Sequence, residues 1–410
     1  MVKLENLKSK IGIFLLIASF LLNLITSGIS NYSLNSVLFK IISGITSGIV
    51  ILFFFKNELK ELLRTIKKSA VFLAALFILY MSVSLLWSSN PGFGAEKVIH
   101  FVIGNGPLVL GIGLILGIKV VSRQYSEGSG QSSFGSEQLA GGVVIIGVIA
   151  CTIAILLDPF NPSIPYSFEL TRWSHVAFGR FTGLALLITY LYYQNADNRE
   201  RKLSALLLTL LFTYSIISSG YRGGLIAAIL AISADTFFRI IRHPEIRLRA
   251  IINYISIAAI VLLSFFIMSW NNGMMERWNN LSVLAGNEVN VDNSINSRIE
   301  GYSVAWRMFK ENPLTGSGLG SFNGSNYGSE IGREIKYPHN IILELLCELG
   351  LIGLGFLIVY TGAVIRVLLQ WRKDLLIIFV FGILLAMFGK DMSSNGLVWV
   401  FAGMVVKERS

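Results

Sequence analysis

Long apolar runs, repeated from one end of the chain to the other, constrain this sequence more than any motif does. A helix needs about 20 apolar residues to cross the hydrocarbon of a bilayer. Twelve such stretches can be marked, at 11–29, 36–55, 69–87, 98–118, 139–157, 175–193, 203–219, 223–238, 250–268, 350–369, 375–389 and 395–406, the last two being short. With 53% hydrophobic and 14% charged residues, the chain is too apolar for a soluble domain, in which about 25% of residues are charged. The expectation is an all-α polytopic membrane protein with about twelve transmembrane helices.

Basic residues orient those spans, because short cytoplasmic loops carry an excess of Lys and Arg. With the N-terminus inside, the inner segments hold Lys56, Lys60, Arg64, Lys67 and Lys68, then Lys119 and Arg123, then Arg199, Arg201 and Lys202, then Arg239, Arg242, Arg247 and Arg249. The short outer loops hold only Lys97, Arg172, Arg222 and Lys390. Both termini are therefore expected in the cytoplasm. This bias absorbs most of the net charge of +10, which leaves no argument for a nucleic-acid partner. The first span reads as an anchor, since it is long and no Ala-x-Ala site follows Ile25. Cys151 lies mid-span and Cys347 near an outer interface, so no disulfide framework is expected. Residues 126–138, "SEGSGQSSFGSEQ", read as a flexible inner linker.

One connection is much longer than the rest. Residues 269–349 form an outer loop between spans nine and ten, and loops of that length are commonly functional. The chain thus divides into a membrane domain at 1–268, a loop domain at 269–349 and a second membrane portion at 350–410.

Within the loop, "SRIEGYSVAWRMFKENP" (297–313) predicts a helix. Ser297 and Glu300 make a capping box, Ile299, Tyr302, Trp306 and Phe309 recur at helical spacing as a packing or interfacial stripe, and Pro313 closes it. Arg298 falls in the first turn, where the helix dipole disfavours a cation. It is either a solvated surface arginine or, beside exposed N–H groups, part of a phosphate cradle. The glycines at 316, 318 and 320 of "NPLTGSGLGSF" lack the strand–loop–helix setting of a nucleotide site and read as tight turns.

Three further sites stand out. "SSGYRGG" (218–224) places Arg222 in a very short outer connection, where it either snorkels to headgroups or serves a ligand that two following glycines let approach. "GKDMSSN" (389–395) pairs Lys390 with Asp391 in the last outer turn, as a self-compensating pair or with Asp391 orienting a base. "REIKYPHNIILELLCELGLIGLGFLIVY" (333–360) sets His339 after Pro338 at the entry to a helix. Asn340, Glu344 and Glu348 follow at four-residue spacing, as a stripe facing a cavity or as a solvated face before the span begins near residue 350. His100 and His175 read as satisfied interfacial residues and His243 as a structural cytoplasmic one. The outer face has neither Asp-x-Asp nor His-Glu-x-x-His, so no metal is expected.

The run "SRIEGYSVAWRMFKENPLTGSGLGSF", then "HNIILELLCELGLIGL", with "YRGG" upstream, resembles the O-antigen ligase and polymerase family of bacterial envelope glycosyltransferases. The resemblance implies an active site of Arg222, Arg298, His339 and Asp391 at the periplasmic face of the inner membrane. It implies arginines that hold the diphosphate of an undecaprenyl-diphosphate-linked glycan, a histidine that activates the acceptor hydroxyl of a lipid A-core sugar or other glycan, and no cofactor. Residue chemistry is compatible with those roles. Breaking the sugar C1–O bond expels a weakly basic diphosphate, so stabilising negative charge is the main task, and arginine forks bind phosphate bidentately. A sugar hydroxyl gains about 10²–10⁴ in rate from a positioned base. A ligase is the leading expectation; a polymerase, a transferase with a protein acceptor and a transporter of the lipid-linked glycan are the alternatives. A transporter would scatter charges through mid-span positions, where Lys40 and Arg180 are the main exceptions to an outer-loop grouping.

Overall fold

The computed structural model describes residues 11–12, 15, 34–56, 59–60, 68–107, 134–157, 175–196, 198–242, 247–269, 293–323, 336–371, 373–389 and 391–402. Among these the chain is helical and contains no strand. The helices are α1 (Leu34–Phe54), α2 (Lys68–Val83), α3 (Pro91–Ile99), α4 (Phe134–Leu157), α5 (His175–Gln194) and α6 (Arg199–Ser218), then α7 (Arg222–Arg242), α8 (Arg247–Ser269), α9 (Asn293–Glu311), α10 (Ile341–Trp371), α11 (Lys373–Ala386) and the short α12 (Gly396–Trp399).

Five described stretches are long and apolar enough to cross a membrane: Ser69–Trp87, Arg199–Ser218, Arg222–Ile241, Ala250–Ile267 and Ile341–Gln370. Shorter apolar helices cover Gly44–Phe54, Gly141–Thr152 and Leu375–Ala386. The protein is a helical membrane protein. Most of the expected first span, the part of the expected fourth beyond residue 107, His243 and Lys390 lie outside the described residues. Over 395–406 the structure has α12 followed by a turn rather than a continuous span as far as it is described.

The core is built by α5, α6, α7 and α11, with α4 and α8 packed outside them. Tyr190, Phe212, Ile216, Ile217, Phe379 and Phe381 are buried there. Small residues set the helix spacing: a Cβ on Gly183 would run into the Phe381 ring, and one on Gly147 into Phe212. That is how helices associate where lipid removes the hydrophobic drive to pack. Outward faces are equally apolar, with Phe53, Leu207 and Leu262 exposed.

Several expected boundaries shift. The linker expected at 126–138 is already helical from Phe134. Lys97, expected in an outer loop, lies within α3, which Asn90 caps by accepting from the Phe93 N–H at 3.1 Å and Pro91 opens. Helix α9 starts at Asn293, a turn before Ser297, because no glycine or proline interrupts residues 293–296. Ser297 and Glu300 are therefore not a capping box at its start, and Arg298 is outside the first turn. Of the expected stripe, Ile299 and Trp306 are exposed and Tyr302 and Phe309 half-buried, while Val304, Ala305 and Met308 bury against Phe322 and Cys347.

Helix α10 begins at Ile341, at the helix entry expected after Pro338; the apolar stretch runs from there rather than from near 350, and the backbone is broken at Gly350 (φ 65°, ψ −162°). The break has an identifiable cause. The N–H groups of Leu351 and Ile352 donate to the carbonyls of Pro313 and Leu314 at 2.9 and 3.3 Å, and the carbonyls of Cys347 and Glu348 accept from Ser317 and Gly318, both at 2.9 Å. A turn of helix has been exchanged for four bonds to the glycine loop. Gly316, Gly318 and Gly320 all have positive φ, as the tight-turn reading requires. A Cβ on Gly316 would strike the Glu348–Leu349 backbone, and one on Gly320 the backbone of Gly94 and Asn90.

Candidate functional site

His339 stands one residue before the cap of α10, where Asn340 Oδ1 accepts from the N–H groups of Ile342 and Leu343 at 3.0 and 3.2 Å. It is the one non-glycine residue with positive φ (56°) among the described residues. Such backbone strain persists only where surrounding structure holds it, and it gathers at functional sites. The ring is fixed by two contacts. Nδ1 lies 3.1 Å from the Gly389 carbonyl oxygen, and Tyr337 meets it edge-on with centroids 4.6 Å apart. A carbonyl can only accept, so Nδ1 carries the proton and the lone pair sits on Nε2.

Gly389 ends the turn after α11, and two residues on Asp391 is fully buried. The Ser393 hydroxyl donates to Asp391 Oδ2, and Asn395 Nδ2 donates to the Asp391 carbonyl at 3.0 Å. His339 and Asp391 thus belong to one turn-centred site. Arg222, the first residue of α7, joins them through its backbone: a Cβ on the adjacent Gly223 would lie 2.9 Å from Phe388 Cβ. Arg298 is half-buried on α9, and no contact among the described residues ties it to the other three.

Glu344 and Glu348 are not a solvated face. Both are buried, as is Lys97, whose Nζ lies 2.7 Å from Glu344 Oε1 and 2.8 Å from Glu348 Oε2. Glu344 Oε2 also accepts from the Met392 N–H at 2.7 Å, and Glu348 Oε1 from the Phe322 N–H at 3.4 Å. One ammonium and two carboxylates therefore fasten α3, α10, the glycine loop and the residue following Asp391. The sequence signal was available, since three charges beside apolar runs must find partners or stay wet; what was missing was the long-range pairing.

Arg180 of α5 was also legible only as a stray mid-span charge. A Cβ on Gly389 would collide with its guanidinium, so the arginine packs on the residue that holds His339. Burial raises the Tyr337 phenol above its ordinary range, Asp391 adds to the rise, and Arg180 opposes it. His100 is buried in the π-helical segment His100–Asn105 that continues α3. Among the described residues no group of three or more His, Cys, Asp or Glu is arranged to hold a metal ion.

Residues 206–358 match the family described as O-antigen ligase. The stretch contains Arg222, Arg298 and His339 but stops short of Asp391. That match covers little more than a third of the chain, and it supports the O-antigen ligase and polymerase family and a function of ligase or polymerase type. No curated protein matches it.

Proposed function

We propose that the protein is an O-antigen ligase, transferring a preassembled glycan from undecaprenyl diphosphate to a lipid A-core sugar hydroxyl at the periplasmic face of the bacterial inner membrane. The observation that carries the reading is the family match over 206–358 together with a strained His339 whose Nδ1 is committed to the Gly389 carbonyl. That tautomer makes Nε2 the base. The acceptor oxygen attacks C1 of the first sugar, its proton passes to Nε2, and the C1–O bond breaks with its electron pair leaving on the diphosphate. Attack in line inverts the anomeric centre.

Arg222 and Arg298 are proposed to hold the diphosphate, where charge develops; neither they nor His339 needs a metal or cofactor for that role. Asp391, buried next to the His339 turn, is proposed to fix that turn rather than to touch substrate. Both termini are proposed to be cytoplasmic, with 269–349 as the periplasmic catalytic loop between membrane portions 1–268 and 350–410. A polymerase joining repeat units, or a transferase to a protein hydroxyl, would use the same donor chemistry. A glycan transporter fits less well, because Lys97, Glu344, Glu348, Asp391 and Arg180 gather at one end of the helices instead of lining a path across them.

The test is genetic. The gene is expressed in strains lacking either the ligase or the polymerase, and the lipopolysaccharide ladder is read on a gel. Restored attachment of long chains supports the ligase; restored chain length alone, in the polymerase-deficient strain, replaces it with the polymerase.

A further inference from the structure

Arg180 is the least satisfied charged group next to the site. Its Nε and Nη2 are buried and neither has a hydrogen-bond acceptor among the described residues. An arginine cannot lower that cost by losing its proton, and buried donors without acceptors are disfavoured. Such a group persists when something that is not part of the chain completes it.

The surroundings indicate what that is. Gly179, the preceding residue, lies with its carbonyl oxygen 3.1 Å from where a Cβ of Gly224 would stand, and the Tyr221 ring wedges against both glycines. The N-terminal turn of α7, carrying Arg222, therefore packs directly on the Gly179–Arg180 step of α5. On its other side Arg180 abuts Gly389, whose carbonyl takes His339 Nδ1. Two arginines from adjacent helices and the proposed base thus border one short turn. The residue as a whole keeps partial exposure, so the fork can leave Gly389 for a ligand.

We propose that Arg180 is a phosphate-binding residue of this site, parked against Gly389 while the donor is absent and turned onto a diphosphate oxygen when the donor arrives. This rests on the diphosphate donor proposed above. A planar guanidinium with two unused donors matches an oxyanion, and a carboxylate on the glycan would offer the same chemistry. The probe is therefore undecaprenyl diphosphate without any sugar.

Wild type, Arg180→Met and Arg180→Lys are purified in lipid nanodiscs, titrated with that probe by tryptophan fluorescence, and melted without ligand. The expected result for Arg180→Met is at least tenfold weaker binding with an undiminished melting temperature, because the variant removes unsatisfied donors and keeps the volume; Arg180→Lys should bind between the two. A smaller loss of affinity overturns the proposal, and so does a lost affinity accompanied by a lowered melting temperature, which would make Arg180 structural. A wild-type protein that fails to bind the probe overturns the donor assignment itself, a separate outcome.

Discussion

Two cations lie near the same turn, Lys97 buried and Arg180 partly so, and their surroundings differ. Lys97 is enclosed by Glu344 and Glu348 at 2.7 and 2.8 Å, and those carboxylates also accept backbone N–H groups of Met392 and Phe322. Arg180 packs against Gly389 with Nε and Nη2 unsatisfied among the described residues. A closed ionic cluster holds segments together, whereas an open one keeps binding capacity for something else. Fold and chemistry are thus divided between neighbouring groups: the lysine cluster braces α10 and the 391–394 turn, and the strained His339 works against that brace.

The comparison can be broken first at its closed side. Lys97→Met leaves two carboxylates facing each other in the interior, and removing one partner of a buried charge cluster costs about 3–5 kcal/mol. The expected outcome is a sharp fall in folded protein by detergent-solubilised size exclusion. Adding Glu344→Gln and Glu348→Gln should recover much of the loss; recovery would show that unpaired charge, not lost packing, is the damage. Normal folding of the single variant would mean that the cluster is not a brace.

At the open side the effects fall on rate. Arg222→Lys keeps the charge but not the bidentate fork, and losing one charge-assisted contact of about 1.5–3 kcal/mol slows transfer roughly ten- to a hundred-and-fifty-fold. The turnover number should drop at least as much as donor affinity; a near-wild-type rate would reduce Arg222 to a snorkelling residue. Arg298→Lys should cost less, about tenfold at most on the same scale, since the helix starts upstream of it and no dipole cost has to be explained. The smallest effect is expected from chelation: transfer measured in EDTA should match transfer without it, and loss restored by magnesium or manganese would count against an arginine-held diphosphate.

Much of this was legible in the sequence, for reasons that differ by region. Apolar length marked α2, α6, α7 and α8 closely, because a span is a local property. The glycines of 316–320 were legible as turns, since positive φ selects the residue. The burial of the first turns of α10 was not. Glu344 and Glu348 read as wet only because Lys97, about 250 residues upstream on the chain (247 and 251), could not be seen to neutralise them. The start of α9 was misplaced by a plausible capping box at Ser297, with a continuous helix running through it. His339, Asp391 and Arg222 carried family motifs and converge on one turn, whereas Arg298 carried its motif and no contact among the described residues ties it to that turn. Arg180 had no motif, only a charge in the wrong place.

The most direct test of the central claim uses His339. Single-turnover glycan transfer and thermal melting are measured on the same preparations of wild type and His339→Ala. The proposed base predicts a rate lower by about 10²–10⁴ with a melting temperature lowered only modestly, since the substitution gives up the Gly389 hydrogen bond and the Tyr337 contact but leaves the Lys97 cluster whole. A variant that transfers glycan at the wild-type rate would contradict the account.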